Sequence, residues 1–383
     1  MVAQSSMAFR LLCRRYGAEL CYTPMINAKM YVQHAKYRRD VGLDLKAAEA
    51  GVDRPLCAQF CGDNAETLLL AARGVEKFVD GIDLNLGCPQ GIAKRGHYGA
   101  FLLEEIDLVC EIVKTLRENL SVPVTCKIRL LDAYDPSSTI AFVERVVDAG
   151  ASAVCIHGRT RQMKGQLVGE ADWKAIGQVI EATKKKRGAV PIMANGGVEF
   201  YEDFANCLRE TKADAVMISE AALADPRVLG TSQNSKLDVA VEFVELASSK
   251  IAIESTKLPE VRGHLVKILF EYIQADGHHA YRDALIGSLT WPHLKEAVHL
   301  IRRDLRNFQP TKHPFTWYRR HRKDQYEASS SDQNYALYDG RGALERQTIT
   351  TSHQKNINPF ALLDDNDNDD DQGIGGLFQD DDE

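Results

Sequence analysis

Short apolar runs alternate with longer amphipathic stretches over the first 230 residues or so of the chain. Each run is a few residues long and apolar at almost every position, which is typical of a strand buried on both faces. The stretches between them repeat apolar residues every three or four positions, which predicts helices. Strict alternation of the two predicts a parallel sheet covered by helices.

The pattern predicts seven strands, and the first element of the chain is a helix rather than a strand. The strands are 20–22, 56–60, 82–86, 122–128, 153–156, 190–193 and 213–218. The helices are 5–16, 64–74, 104–119, 139–149, 171–183, 200–209 and 220–223. At this length a TIM-type (β/α)8 barrel is the leading architecture, and it needs eight strands. We therefore expect a barrel that lacks its first strand, which would precede Ser5. Either the barrel is open at one seam, or this sequence starts late.

The apolar runs stop near Lys236, and from there the pattern is helical only. The predicted helices are 237–249, 260–274, 278–286 and 291–307. Basic and aromatic residues are interleaved here and in the run Lys312–Lys323. Past Glu327 the chain is polar and finally acidic, which is typical of disorder. The chain is thus divided into a barrel domain (1–235), an all-helical domain (236–325) and a disordered acidic tail (326–383).

The acidic tail dominates the formal net charge of −7. Residues 364–383 contain ten Asp or Glu and no Lys or Arg, so leaving them out of the count puts the rest of the chain at +3. A mildly basic body fits an anionic partner such as nucleic acid. An ordinary soluble surface is the alternative explanation.

Cysteine usage and the absence of long apolar stretches limit the cellular compartments in which the protein is expected. All nine cysteines lie at or before Cys207, and none forms the C-x-x-C spacing of a zinc site. The sequence shows no apolar leader with a cleavage site and no run long enough to cross a membrane. We expect reduced thiols, a cytoplasmic or nuclear location, no metal, no membrane association and a monomer.

Polar residues follow successive predicted strands at their carboxyl ends, which is where a barrel of this type carries its active site. Each of them alone has an ordinary structural explanation, such as a turn or a satisfied histidine. Their convergence on one rim outweighs those explanations and predicts an active site. The residues are Gln59, Asn85, Cys88, Lys127, Arg129, His157, Arg159, Asn195, Ser219 and Glu220.

Cys88 is the candidate catalytic residue. It comes just past the strand 82–86 and is followed by Pro89. Pro89 and the flanking glycines are expected to fix the turn and expose the thiol. A cysteine in that position is not placed to pack a core.

The other rim residues suit a flavin mononucleotide (FMN). Lys127 and His157 supply positive charge and donors for an electron-rich ring, and Gln59 can bond its amide-like edges together with Asn195. The phosphate needs a cradle of N–H donors at glycines and at the start of a helix. We assign that cradle to Gly196, Gly197, Ser219 and Glu220.

Four motifs stand in the order and spacing of the tRNA-dihydrouridine synthases. They are Asn85-Leu86-Gly87-Cys88-Pro89, Lys127-Ile128-Arg129, His157-Gly158-Arg159-Thr160 and Asn195-Gly196-Gly197. The chain resembles that family over about residues 1–310. The stretch 89–102 is similar to the eukaryotic branch that modifies uridines 16 and 17 of the D-loop.

The resemblance implies a role for each matching residue. Cys88 would be the general acid, and Asn85 would contact the target base, with Tyr98 and Arg159 as further substrate-binding candidates. The helical segment would dock tRNA, and Arg302 and Arg303 are its candidate contacts. The residues that would bind FMN are Gln59, Lys127, His157, Asn195, Gly196, Gly197, Ser219, Glu220 and the backbone of Met1 and Val2.

The implied reaction is reduction of the uracil C5=C6 bond. Reduced FMN would deliver a hydride to C6, and Cys88 would deliver a proton to C5 from the opposite face. An ordinary cysteine thiol is protonated at neutral pH and can serve as this acid. NADPH or NADH would then reduce FMN. No G-x-G-x-x-G fingerprint follows a strand, so the nicotinamide is expected to bind transiently over the flavin.

Two other functions fit the same residues. One is a different FMN barrel oxidoreductase acting on a small molecule, such as a dihydropyrimidine or dihydroorotate dehydrogenase. The basic, aromatic helical segment argues against this function, because an enzyme with a small substrate does not need such a segment. The other is a catalytically inactive RNA-binding protein that keeps the fold, which would be colourless when purified.

Overall fold

The centre of the molecule is a sheet in which every strand pair is parallel. This structure is a computed structural model, and it describes residues 4–188 and 190–310. The strands run in the order β1-β3-β4-β5-β6-β7-β8, and β2 also pairs with β3. They are β1 (Cys21–Tyr22), β2 (Ile26–Asn27), β3 (Leu56–Cys61), β4 (Gly81–Leu86), β5 (Val124–Arg129), β6 (Ala153–His157), β7 (Ile192–Asn195) and β8 (Ala215–Met217).

β1 and β2 together occupy one position in the sheet. Cys21 pairs with Leu56 near the start of β3, and Ile26 pairs with Phe60 near its end. The sheet within the described residues therefore has seven strand positions, which confirms the seven predicted strands. The short β2 was not predicted, because two residues carry no recognisable period.

The helices cover the sheet and then continue as a separate group. They are α1 (Met7–Arg15), α2 (Ala28–Gln33), α3 (Ala35–Asp44), α4 (Lys46–Glu49), α5 (Ala65–Val75), α6 (Gly91–Arg95), α7 (Ile106–Asn119), α8 (Ser137–Asp148), α9 (Trp173–Arg187), α10 (Tyr201–Thr211), α11 (Glu220–Ala224), α12 (Lys236–Ala247), α13 (Leu258–Ile268), α14 (Phe270–Ile273), α15 (His279–Gly287) and α16 (Trp291–Leu305). Short 3₁₀ helices are Glu76–Phe78, Gly99–Glu104, Gly165–Leu167 and Pro226–Leu229.

Local chemistry explains several helix starts. The Asn64 side chain accepts a hydrogen bond from the Thr67 amide at 2.8 Å and caps α5. Asp172 caps α9 in the same way through the Ala175 amide at 2.8 Å. A side-chain cap of this type stabilises a helix by about 1 kcal/mol. The apolar residues of β3 and β4 are buried on both faces, as expected for parallel strands under helices.

The sheet is a half-barrel of TIM type. β1 and β8 are its two edges, and no strand of the described residues joins them. The Tyr22 hydroxyl on β1 lies 3.9 Å from Met193 Sδ on β7, so this side chain crosses the interior. The Ser5 hydroxyl donates to the Tyr22 carbonyl, so the chain leading into α1 runs beside β1. The predicted TIM-type architecture and the helical C-terminal region are thereby confirmed.

Two large hydrophobic cores and a small cluster around Cys61 lie within the described residues, and α1 belongs to the second large core. The first fills the space between the sheet and the helices around it. The second joins α1 to the helices from α11 onward, with the Phe9 ring stacked on His264 at 4.5 Å and edge-on to Phe243 at 6.0 Å. The first helix of the predicted barrel domain therefore packs on the helical region, and the predicted domain limits stay a prediction.

Some sequence predictions fall outside the described residues. They concern Met1 and Val2, the basic run up to Lys323 and the acidic tail. Within the part of the chain that the structure describes, no helix has the length and apolar character needed to span a bilayer.

Candidate active site at the carboxyl edge of the sheet

Strand register brings the predicted rim residues side by side. Asn85 on β4 pairs with Lys127 on β5. His157 on β6 pairs with Asn195 on β7. Because the strands are parallel, all four lie at the same carboxyl edge. The convergence inferred from the sequence is therefore present in the fold.

A chain of buried hydrogen bonds runs from the sheet interior to Cys88. Gln59 Nε2 donates to Asp83 Oδ2 at 2.8 Å, and Asn85 Nδ2 donates to Gln59 Oε1 at 2.9 Å. Asn85 Oδ1 then accepts from the backbone amides of Gly87 at 3.1 Å and Cys88 at 2.9 Å. The side chains of Asp83, Gln59 and Asn85 are all buried. Asn85 thus holds the turn that presents Cys88.

The loop after Cys88 folds back against it. The Ala100 amide donates to the Cys88 carbonyl at 3.0 Å. Gly99 has a φ of +69°, and a Cβ there would lie 2.7 Å from the Cys88 carbonyl oxygen. Tyr98 is buried beside Cys61, and Cys88 packs partly buried against this cluster. The Cys88 backbone is therefore fixed at its amide and at its carbonyl, and the residue itself is partly exposed.

Cations crowd the neighbouring part of the rim on β5 and β6. Burial lowers the pKa of Lys127. Burial, with the nearby Arg159 charge as the next cause, lowers the pKa of Arg129 to about 10. Arg129 Nε donates to the Gly87 carbonyl and Nη1 donates to the Thr160 carbonyl, each at 2.7 Å. Arg129 therefore ties the Cys88 turn to the loop after β6.

Arg159 is a buried cation with an unused donor. Its Nε donates to the Gly169 carbonyl at 3.0 Å, and Nη1 lies 3.2 Å from His157 Nε2. Nη2 is buried and has no acceptor within residues 4–188 and 190–310. Burial, reinforced by the charge of Lys127, lowers the pKa of His157 well below its usual value, so the imidazole is neutral. Its Nε2 can then accept from Arg159.

The two glycines after β7 are required by their surroundings. Gly196 has a φ of +95° and Gly197 a φ of +82°. A Cβ on Gly196 would lie 2.9 Å from His157 Cδ2, and one on Gly197 would lie 2.9 Å from Trp173 Nε1. Close packing thus explains both glycines. Their assignment to a phosphate cradle, with Ser219 and Glu220 at the start of α11, stays a prediction.

Sequence reasoning missed Asp83 and Thr125. Thr125 on β5 donates its hydroxyl to Asp83 Oδ1 at 2.6 Å, and burial raises the pKa of Asp83 to about 6. The signal was present in the strand 82–86, where Asp83 and Asn85 alternate with apolar neighbours. A carboxylate inside a strand buried on both faces needs partners and therefore indicates a polar network.

The remaining predicted substrate-binding residues are one buried tyrosine and two exposed arginines. Tyr98 is packed beneath the loop rather than open to solvent. Arg302 and Arg303 are exposed on α16, where Arg302 pairs with Asp238 at 2.7 Å and Arg303 pairs with Asp304 at 2.8 Å. Their roles in substrate binding stay predictions.

Comparison with known proteins shows which family and which relatives the chain is similar to. Residues 1–303 match the family described as Dihydrouridine synthase (Dus). A Saccharomyces cerevisiae tRNA-dihydrouridine(16/17) synthase [NAD(P)(+)] is 39% identical over 78% of this chain and 71% of its own length. The Schizosaccharomyces pombe protein of the same name is 35% identical over 70% of this chain and 67% of its own.

Two further matches are more partial. A Mus musculus tRNA-dihydrouridine(16/17) synthase [NAD(P)(+)]-like protein is 39% identical over 74% of this chain, and the match spans 57% of the mouse protein. A solved 2-naphthoyl-CoA reductase complex aligns with a TM-score of 0.47 at 12% identity, over 60% of this chain and 46% of that one. A structural likeness of that size carries no argument about function.

Proposed function

The chain belongs to the dihydrouridine synthase family, and on that premise we propose that it reduces uridine in tRNA to dihydrouridine. The target positions are uridines 16 and 17 of the D-loop, as in the names of the yeast relatives. One observation carries the proposal. The Cys88 thiol is presented by a buried hydrogen-bond chain on a rim whose neighbouring part is crowded with cations.

Cys88 acts as the general acid. Its backbone amide is fixed by Asn85 Oδ1, and its carbonyl is fixed by the Ala100 amide. A thiol held in this way can donate a proton to C5 of a uracil ring lying over the rim. Positioned proton transfer of this kind contributes a factor of about 100 to 10,000 to a rate.

The rim residues fit FMN as the cofactor. The buried Arg159 Nη2 lacks an acceptor in the described residues, Arg129 adds like charge beside Arg159, and Lys127 lies next to Arg129. Crowded buried cations favour an anionic ligand. Lys127, Arg159 and neutral His157 would hold the electron-rich part of FMN, with Asn195 and the glycines after it near the phosphate. When bound, reduced FMN supplies the hydride for C6.

NADPH or NADH is the proposed reductant, in line with the relatives' names. The tRNA must present a single base at the rim. Extruding a base costs a few kcal/mol and is least costly in a loop such as the D-loop. Contacts of the helical region with the tRNA backbone offset that cost.

A direct assay tests this function. Purified protein, NADPH and an unmodified tRNA transcript are incubated, and dihydrouridine is mapped by mass spectrometry of nuclease fragments. We expect dihydrouridine at positions 16 and 17 and a flavin absorbance band in the protein. A colourless protein that binds tRNA without modifying it would indicate the RNA-binding alternative. Reduction of free pyrimidines but not of tRNA would indicate the small-molecule oxidoreductase.

A further inference from the structure

We propose that His97 is a positioning residue whose protonated imidazole bridges Asp63 and Glu105 and thereby keeps the loop after Cys88 closed. The inference deepens the proposed function and rests on it, since this loop holds the thiol assigned as the acid. Asp63 follows β3, Glu105 immediately precedes α7, and His97 lies between α6 and the Gly99–Glu104 3₁₀ helix. The histidine therefore joins three separate segments of the chain.

The backbone at His97 has a conformation that glycine adopts more easily. Its φ is +51°, whereas Gly96 before it has a φ of −86°. A residue with a Cβ is disfavoured in the left-handed region, so the folded protein must hold it there. Beyond this turn Tyr98 is buried, and the Ala100 amide reaches the Cys88 carbonyl. A side chain is kept where glycine would be easier, which indicates that the imidazole has a task.

The imidazole lies between two carboxylates. Its Nδ1 is 2.8 Å from Asp63 Oδ2, and its Nε2 is 2.6 Å from Glu105 Oε1. A carboxylate only accepts hydrogen bonds, so both ring nitrogens donate, and only the protonated ring can do this. A neutral ring donates to one carboxylate and turns a lone pair towards the other.

The bridge therefore depends on pH in a defined direction. The hydrogen bond to Asp63, followed by the one to Glu105, raises the pKa of His97 above its usual value. Because folding raises this pKa, the bridge is complete below about pH 6.5 and is lost as the pH rises through the raised pKa. The loop should accordingly loosen on the alkaline side.

Each ion pair alone would contribute little, because the three side chains are between 42% and 49% exposed. Here both pairs share one ring, and that ring belongs to the residue with the disfavoured backbone. Losing the proton weakens both contacts at once, at the turn that returns the chain to Cys88. The effect is therefore concentrated on the loop rather than on the whole fold.

Other charged groups around the ring are accounted for. Glu104, next to Glu105, is paired with Arg161 at 2.6 Å. Lys94 and Arg95 on α6 are exposed cations. The Cys88 thiol can also lose its proton in the alkaline range, so the test must cancel its contribution.

Two variants remove the protonation dependence: His97→Gln, which does not titrate, and Asp63→Asn/Glu105→Gln, whose amides can bond either form of the ring. The first readout is hydrogen exchange of the Tyr98 and Ala100 amides, which donate to the Ala93 and Cys88 carbonyls at 3.0 Å. Each rate is divided by the wild-type rate at the same pH. This ratio cancels the intrinsic pH dependence of exchange and the titration of the thiol.

We expect the His97→Gln ratio to be at least about threefold at pH 6 and close to one at pH 9. The ratio for Asp63→Asn/Glu105→Gln should also fall about threefold over this range, because the wild type loosens and the variant does not. This second variant keeps the test decisive if His97→Gln does not fold. The control is His299→Gln on α16, an exposed histidine 3.7 Å from Glu245, and its ratio should stay at one.

The second readout is dihydrouridine formation. The kcat of the wild type divided by that of His97→Gln should be at least about threefold at pH 6 and approach one at pH 9, with KM for tRNA within about twofold. Exchange needs no catalytic activity, so the expected exchange pattern without any tRNA reaction would count against the proposed function alone. Exchange ratios that do not change with pH, or a kcat ratio of one at pH 6, overturn the role of His97.

Discussion

The two sides of the rim differ in how far the protein satisfies its own polar groups. On the β3–β4 side, Asp83, Gln59 and Asn85 bond to one another and to the Cys88 turn. On the β5–β6 side, Lys127 lies beside Arg129, whose pKa is lowered to about 10, and the buried Arg159 Nη2 has no acceptor in the described residues. One side is complete in the free protein, and the other is the side to which we assign FMN.

This difference separates two tasks of an active site. A closed network orients a group that belongs to the protein, because each partner excludes the alternatives of the next. A cluster of buried cations destabilises the free protein and recovers that cost when an anion binds. The same edge of one sheet can thus hold a preset acid and a ligand site, and each side should respond differently to substitution.

The largest expected effect comes from removing the thiol. Cys88→Ala should lower dihydrouridine formation by at least about 100-fold, because the positioned acid is lost. FMN content, measured by absorbance, should stay unchanged, since the cations of the other side remain. Cys110→Ser on α7 is the matched control and should keep full activity. Full activity of Cys88→Ala would show that Cys88 is not the acid. The contrast between the two sides of the rim would then no longer hold.

Substitution on the β5–β6 side should weaken FMN binding and leave the Cys88 turn unchanged. Lys127→Ala should weaken FMN binding by about 30-fold, because a desolvated charge loses its contact with the ligand. The alkylation rate of Cys88 should stay close to that of the wild type. Lys114→Ala, at an exposed lysine paired with Glu118 on α7, is the control and should bind FMN normally. Retention of stoichiometric yellow colour in Lys127→Ala would contradict the assignment.

The neutral histidine should make stability depend on pH. Burial holds the pKa of His157 below its unfolded value, so acid protonates the unfolded chain first. Stability from this residue is therefore complete above about pH 6.5 and declines as the pH falls, with an upper limit of about 2 kcal/mol for the loss at pH 5. Urea unfolding of wild type and His157→Gln at pH 7.5 and 5 measures the difference. Parallel losses in the two proteins would show that His157 does not titrate in this way.

The smallest effect concerns the free protein alone. Lys127→Met should raise the unfolding free energy of the FMN-free protein by about 1 kcal/mol, or roughly 2 °C in Tm, because a crowded buried cation is removed. With saturating FMN the order should reverse, and the wild type should melt higher. Thermal melts with and without FMN provide both values. A lower Tm for the FMN-free variant would mean that Lys127 stabilises the empty rim.

Much of the fold could be predicted because buried parallel strands leave a plain signal. The seven strand positions were found, and the rim residues followed from their place at strand ends. The segment with α2, α3 and α4 had no predicted element, since charged residues such as Lys36, Arg38 and Asp40 interrupt any apolar period. The packing of α1 on the helical region depends on contacts such as Phe9 with His264, which are far apart in sequence.

The site was predictable as a set of residues but not as a network. Gln59, Asn85 and Cys88 were each identified, yet their order in one hydrogen-bond chain depends on strand register and on the direction of each amide. Sequence patterns carry neither. Asp83 could have been found from its charge within an apolar strand. The unused donor of Arg159 could not, because a missing partner is visible only in three dimensions.

The close approach of Gly99 to the Cys88 carbonyl decides which parts of the loop after Cys88 can be changed by protein engineering. Ile92, Lys94 and Arg95 on α6 are exposed and can be randomised in a library without touching the thiol. Gly99 cannot be varied, because any side chain there would enter the Cys88 carbonyl at 2.7 Å from a backbone with positive φ. A search for enzymes with new RNA targets should therefore vary the outer half of this loop and leave its inner half unchanged.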